Sequence, residues 1–406
     1  QARARLKGLS IAASPAADGV GRPGWLNADV ELQATELGGD ARLTMVDGAI
    51  ELPGVFERPV VPLRRFDALL AWRIGAARLQ GRPIELQVKE ARFENADTAG
   101  ELTGAWRTGD GSGVSRGGRF PGVLDLQGKL ARGQAASVAR YLPLGLPKPA
   151  REYVQNAVRG GTVGNVTFKV KGDLWDFPFY GARTSREGEF RIAGQFADLT
   201  MAYVPSHPGD GAGEPAWESP WPVVTRASGD LVVDRTSMSI RGAQGRIYGV
   251  ELRGVEGGVR DFIDQPTLEL EGQARGPLAD MLRYVNTTPV GGWIGGALGR
   301  TSGQGAAELR LALGLPLGQL AQSTVKGSVQ LSGNEIRLLP GTPLLSSARG
   351  RIDFTHKGLQ IVGASVRALG GEATFDGGTQ ADGSLRFGGQ GSCSAEGLRK
   401  ATELGL

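Results

Sequence analysis

Cysteine is almost missing from this chain. Cys393 is the only one in 406 residues, which excludes an internal disulfide and leaves the compartment open. Histidine is nearly as scarce. His207 and His356 lie far apart, and a zinc site needs three or four converging ligands, so both read as surface residues. No metal or other cofactor is expected. Long apolar runs are missing too: the best stretch, Val290 to Leu298, is short and glycine-laden beside the ~18 residues of a membrane span. The charge has no concentration. The net charge is +4 and the pI about 9.3, yet 46 Lys+Arg face 42 Asp+Glu. The arginines are scattered on alternating positions, and without a basic stripe no nucleic-acid partner is expected. No secretory leader is visible, since Gln1-Ala-Arg-Ala-Arg5 runs straight into a strand-like segment. The chain reads as a piece excised from a longer protein.

Glycine is what the chain has in excess, at 65 residues against a usual share of about 7%. There is no collagen-like period, and 40% of residues are apolar. Many short strands joined by tight turns are therefore expected, because φ > 0 is cheap only for glycine. Disorder is the competing reading, and alternation of apolar and polar residues argues against it. Ile84-Glu-Leu86-Gln-Val88-Lys89, Val166-Thr-Phe168-Lys-Val170-Lys171, Phe190-Arg-Ile192, Leu309-Arg-Leu311-Ala-Leu313, Val329-Gln-Leu331 and Ile352-Asp-Phe354 all show it. One face is apolar and the other polar in each, the mark of an antiparallel sheet wet on one side.

Two segments switch to helical spacing. Leu278, Met281, Leu282 and Val285 form one apolar stripe. After Pro289 a second stripe follows, of Trp293, Ile294, Ala297 and Leu298. The earlier segment does the same with Val138, Tyr141 and Leu142, then prolines, then Tyr153, Val154, Ala157 and Val158. These segments resemble each other: Arg140-Tyr141 recurs as Arg283-Tyr284, and Val166, Phe168 and Val170 recur as Leu309, Leu311 and Leu313, both at an offset of 143. The expected organisation is an N-terminal strand region over 1–125 and a repeat unit over 126–269, with a helical insert at about 135–160. A second unit spans 270–388, with an insert at about 277–300, and a truncated third begins at 389–406.

Catalytic motifs are weak. Gly113-Val-Ser115-Arg-Gly117 matches G-x-S-x-G but sits in a Gly/Ser loop rather than between a strand and a helix. Asp173 with Asp176, and Asp261 with Asp264, read as turn chemistry rather than acid–base pairs. Cys393 reads as a buried or half-buried small residue with no positioned base. What remains is the apolar face. It is either the core of a β-sandwich or the lining of a groove on a curved sheet, and alternation alone leaves both open.

Tyr141-Leu-Pro143, Ala150-Arg-Glu-Tyr-Val154, Gly160-Gly161, Asp176-Phe-Pro-Phe179 and Gly188-Glu-Phe190 follow one another as in the YhdP family, a branch of the AsmA-like proteins related to TamB. Trp221-Pro222, Gly272-Gln-Ala-Arg-Gly276 and Asp280-Met-Leu-Arg-Tyr-Val285 are also similar. The resemblance covers roughly residues 120 to 400. It implies an elongated, curved antiparallel sheet built from repeats, with short helix–Pro–helix inserts and an apolar concave groove. It further implies a periplasmic protein, anchored in the inner membrane by a part outside this piece, that carries phospholipids toward the outer membrane without catalysis. The groove residues expected from alternation are Val166, Phe168, Val170, Phe190, Ile192, Leu309, Leu311, Leu313, Ile352 and Phe354. A rival reading is an assembly factor for outer-membrane proteins acting by β-augmentation. An enzyme acting on envelope glycans is a third, and it would need a polar cleft with paired carboxylates.

Overall fold

The computed structural model describes residues 1–15, 19–76, 81–109, 119–180, 188–209, 215–319 and 322–401. Among these residues the fold is mainly β, with twenty strands in open antiparallel sheet, as the alternation predicts. The chain divides into two compact units: Gln1–Leu199 with Asp230–Met238, and Thr200–Gly229 with Ser239–Leu406. The G-x-S-x-G match lies outside the described residues.

In the first unit, β1 (Ala2–Ile11), β2 (Gly24–Thr35), β3 (Gly38–Glu51), β4 (Val60–Ile74), β5 (Ile84–Glu94), β6 (Thr98–Arg107), β7 (Val123–Gln134) and β8 (Val158–Asp173) form a meander. Each pairs antiparallel with the next. The next strand, β9 (Glu189–Met201), meets β8 through Asn165–Gln195 at 2.8 Å and Lys169–Glu189 at 2.6 Å. Two further strands, β10 (Val224–Asp234) and β11 (Ser237–Ile247), have residues in both units. The second unit repeats the meander with β12 (Val250–Val259), β13 (Thr267–Pro277), β14 (Ser302–Gln304), β15 (Ala306–Pro316), β16 (Thr324–Arg337), β17 (Leu345–Thr355), β18 (Gly358–Ala368), β19 (Gly371–Thr379) and β20 (Leu385–Gly391). In this run β13 pairs β15, and the short β14 pairs β16.

The strands are long rather than short: β4 has 15 residues and β8 has 16. Glycine is abundant for a different reason than tight turns. Many glycines lie inside strands, directly opposite a bulky side chain. A Cβ on Gly128 would come within 2.4 Å of the Phe168 ring, and one on Gly327 within 2.5 Å of the Phe354 ring. The missing side chain leaves room for the ring of the paired residue on the next strand.

Helical inserts occur where the spacing predicts, with changed detail. In the first unit Val138 and Tyr141 belong to a 3₁₀ turn, Ala135–Tyr141, followed by α1 (Lys148–Ala157) with proline in its first turn. In the second unit α2 (Leu278–Thr287) packs Leu278, Met281 and Leu282 on Ala307, Leu331 and Val366 of the sheet. The stripe expected from Trp293 to Leu298 does not form. Helix α3 (Val290–Trp293) stops after 4 residues, and Gly295 and Gly296 take φ of 63° and 71°, which unwinds the helix and leaves Trp293 68% exposed. The last helix, α4 (Ala395–Lys400), is capped by the Ser394 hydroxyl, which accepts from Gly397 N–H at 2.9 Å.

The described face is not a sandwich core. The substantial strand–strand contacts are those between sheet neighbours. The chain exposes 24334 Å², whereas two separate compact bodies of half its mass would expose about 18,000 Å² together. In the first unit the sheet is also curved. Gly145 lies beyond one end of β7 and Phe177 beyond the opposite end of β8, yet a Cβ on Gly145 would come within 2.9 Å of the Phe177 ring. Strand β7 spans about 40 Å. The 3₁₀ turn and the extended residues from Ala135 to Gly145 reach only roughly 27 Å. Residues Leu174 to Phe177 close the remaining distance from the other end, and Phe177 also packs on Phe190 at 5.0 Å.

Candidate functional site

Register places the apolar side chains of the first unit in unbroken lines across the strands. One line is Leu9, Ala28, Met45, Phe66, Phe93, Gly100, Leu130 and Val166. The next is Leu6, Val30, Leu43, Ala68, Ala91, Leu102, Gly128 and Phe168. A third runs Ala4, Leu32, Ala41, Leu70, Val88, Gly104, Leu126 and Val170, and a fourth Ala2, Ala34, Gly39, Trp72, Leu86, Trp106, Leu124 and Gly172. No polar side chain interrupts any of them. Neighbouring strands are about 4.8 Å apart and same-face residues roughly 6.7 Å apart. The lines thus define an apolar field of about 34 Å by about 20 Å on the concave side.

The other face is a lattice of charge. Arg42 pairs with Asp67 at 2.6 Å, Lys89 with Asp40 at 2.6 Å, and Lys171 with Asp125 at 3.1 Å. The bonded Asp67 raises the Arg42 pKa above its ordinary value. These exposed pairs fix which face is wet and add little stability each.

Val166, Phe168 and Val170 therefore lie on the apolar face of β8. Phe190 and Ile192 share that face in β9, since Gly194 on the same strand lies against Val166. Val166 and Phe190 are buried; Phe168, Val170 and Ile192 are half-buried. In the second unit one line reads Leu252, Ala274, Leu309, Val329, Ile352 and Ile361, and the next Gly272, Leu311, Gly327, Phe354 and Leu359. Leu270, Leu313 and Val325 make a third. The structure thus groups the first five of the expected groove residues in one unit and the other five in the second. Sequence reasoning missed Leu43, Met45, Phe66, Phe93, Trp72 and Trp106. Register shifts put an extra residue at Lys89 of β5 and at Ala131 of β7, which breaks alternation before Phe93, but residues 41–45, 66–72 and 102–106 keep an unbroken period of two and were usable signals.

The insert of the first unit is pinned at the mouth of this face by Asp97. Its carboxylate accepts from Ser137 Oγ at 2.9 Å, Arg140 Nη1 at 2.6 Å and the Tyr141 hydroxyl at 2.8 Å. Asn95 Nδ2 donates to the same hydroxyl at 3.0 Å. Burial first, and then the bond to Asp97, raises the Tyr141 pKa above the ordinary tyrosine value. In the second unit Tyr203 and Tyr284 share a hydroxyl–hydroxyl bond of 3.1 Å. Trp221 packs on both rings and on Trp293, at centroid distances of 6.0, 6.1 and 5.9 Å. Trp217 instead stacks on His207 at 5.8 Å.

Chemistry of bond making has little to work with among the described residues. No group of three or more metal-capable side chains occurs there. Asp173 accepts from Trp175 N–H at 3.1 Å and Asp261 from Ile263 N–H at 2.8 Å, the turn role expected of them. Cys393 is exposed rather than buried, because it follows β20, which has no covered face. Among the described residues no helix is long and apolar enough to cross a membrane.

The family model described as YhdP protein matches residues 1–406. The chain belongs to the YhdP family. The match takes in the first hundred residues, where the sequence offered only a strand pattern. Comparison with curated proteins and with solved structures returned no match. For a YhdP-family chain the described residues thus supply an open antiparallel sheet with one apolar face, and no catalytic constellation.

Proposed function

We propose that this chain is part of a passive hydrophobic conduit that carries phospholipid between the inner and outer membranes of a Gram-negative envelope. It would act in the periplasm, with membrane anchoring supplied by other parts of the protein. The uninterrupted apolar lines on the concave side of the first unit carry this reading. Acyl chains laid across the strands lose water contact at about 25 cal/mol per Å², while head groups stay at the open, wet margin. Burial of this kind is non-directional, so a chain can shift from one line to the next without meeting a deep trap. Membership of the YhdP family supports the same reading.

The test is native mass spectrometry with lipid extraction on the chain produced in a bacterial periplasm. Co-purifying phospholipid is expected, and Phe168→Asp with Leu311→Asp should remove most of it. A folded, lipid-free wild type would sink the conduit and move the interpretation to strand-edge pairing with outer-membrane proteins.

A further inference from the structure

A concavity in the second unit opens on the polar face of the sheet. It measures about 1040 Å³ and is bordered by Glu271, Gln273, Arg310, Ala312, Lys326, Ser328, Arg351 and Asp353. These are alternate residues on β13, β15, β16 and β17. Gly272, Leu311, Gly327, Phe354 and Leu359 of one apolar line also border it, but they alternate with polar residues on both sides, and Leu309, Leu313, Val329 and Ile352 do not border it, so alternation puts the opening on the solvent side. Its volume is at the upper end of the roughly 300–1,000 Å³ of small-molecule sites.

Charge on this stretch departs from the rule followed elsewhere on the same face. Arg275 faces Glu308 across the strands at 3.7 Å. By contrast Arg310 and Lys326 are diagonal neighbours, because Arg310 pairs with Ser328 and Ala312 with Lys326. Like charges so placed repel, but each also has a carboxylate at the same diagonal spacing, Glu271 beside Arg310 and Asp353 beside Lys326, so the local excess of positive charge is partial. Among the described residues neither has a carboxylate within ion-pair reach, and nor does Lys357 at the turn after β17, whereas Arg351 is held by Asp353 at 3.0 Å. Four cations, Arg310, Lys326, Arg351 and Lys357, stand against two carboxylates, Glu271 and Asp353, in the lining. Gln273 and Ser328 add neutral hydrogen-bonding groups between them. An anion seated between Arg310 and Lys326 would turn their repulsion into charge-assisted hydrogen bonds.

We propose that this concavity is an anion site for a phosphate-bearing polar group. Its source is either a soluble phosphoester or the head group of an anionic lipid at a membrane surface. The site is independent of the apolar face and would stand if that face proved lipid-free.

Two titrations of the whole chain at about 150 mM salt, where exposed charges are screened beyond roughly 8 Å, test the proposal. One uses inorganic pyrophosphate, followed by calorimetry. The other uses phosphatidylcholine vesicles with and without phosphatidylglycerol, followed by co-sedimentation. Saturable pyrophosphate binding identifies a soluble ligand, and binding to the anionic vesicles alone identifies a head group. In either case R310Q with K326Q should weaken binding at least tenfold. R275Q removes one paired cation from the same face and should leave binding unchanged. The replaced side chains are exposed, and unchanged circular dichroism melting of the variants excludes misfolding. Binding to neither probe overturns the proposal. So does binding that survives R310Q with K326Q, or that falls equally in R275Q. Lipid content measured by native mass spectrometry should not respond to R310Q with K326Q, which separates this site from the conduit.

Discussion

At single positions the packing logic of the sheet inverts the usual ranking of residues in strands. Valine ordinarily suits a strand better than glycine by up to ~1 kcal/mol. At Gly128 and Gly327 the paired strand places a phenylalanine ring where the new side chain would go. Gly128→Val and Gly327→Val should therefore destabilise, by about 1–3 kcal/mol, as read by denaturant unfolding. Adding Phe168→Ala to Gly128→Val should recover only part of the loss, because the Glu101 carbonyl oxygen would still lie 2.5 Å from the new Cβ. If Gly128→Val proves neutral or stabilising, the ring does not occupy that space.

Among the elements, the inserts show how much the sequence discloses. The stripe of Leu278, Met281 and Leu282 was legible because α2 buries it against the sheet. The one expected after Pro289 was not realised, since helical spacing of apolar residues says nothing of backbone entropy. Gly291, Gly292, Gly295 and Gly296 outweigh Trp293 and Ile294, which gain little burial in return. Strand pattern identified the apolar face of β8, β9, β15 and β17 directly. On β5 and β7 a bulge swaps the parity of what lies beyond it, whereas residues 41–45 of β3 and 66–72 of β4 alternate without a break and were legible. The anchoring of the first insert was also hidden, because Asp97 is 40 residues or more from the side chains it holds.

Asp97→Ala should free that insert. Losing its three bonds is expected to cost about 2–3 kcal/mol, with faster proteolysis and amide exchange over residues 135–157 while β3 and β4 stay protected. Uniform loosening of the whole unit would instead mean that Asp97 holds the sheet itself. In the second unit, burial raises the pKa of both Tyr203 and Tyr284 above 10.0. The folded state thus favours their neutral form. That contribution is complete below pH 10 and is lost as the pH rises beyond it. Melting temperature should fall between about pH 9 and about pH 11, and Tyr284→Phe should flatten the fall despite losing a hydrogen bond. An unchanged slope in that variant would show that other groups govern the alkaline transition.

For the molecule as a whole, stability is distributed rather than pooled in one core. In the first unit Leu43, Met45 and Leu63 are 5%, 3% and 4% exposed, whereas every residue of β20 in the second is exposed. Hydrogen exchange should accordingly be slowest in β3 and β4 and fastest in β20. Equal protection throughout would indicate a single cooperative transition instead. Each unit should tolerate change on its polar face more readily than on its apolar lines, where one charge interrupts an apolar surface that several strands make together.

The meander has a mechanical corollary. Within each unit the apolar lines run across the strands, and so do the hydrogen bonds that join strand to strand. A pull along the lines therefore loads those bonds end-on, one ladder at a time, like a seam opened from its edge. Yielding would proceed strand by strand at modest force, with the ladders that remain still carrying an intact stretch of apolar surface.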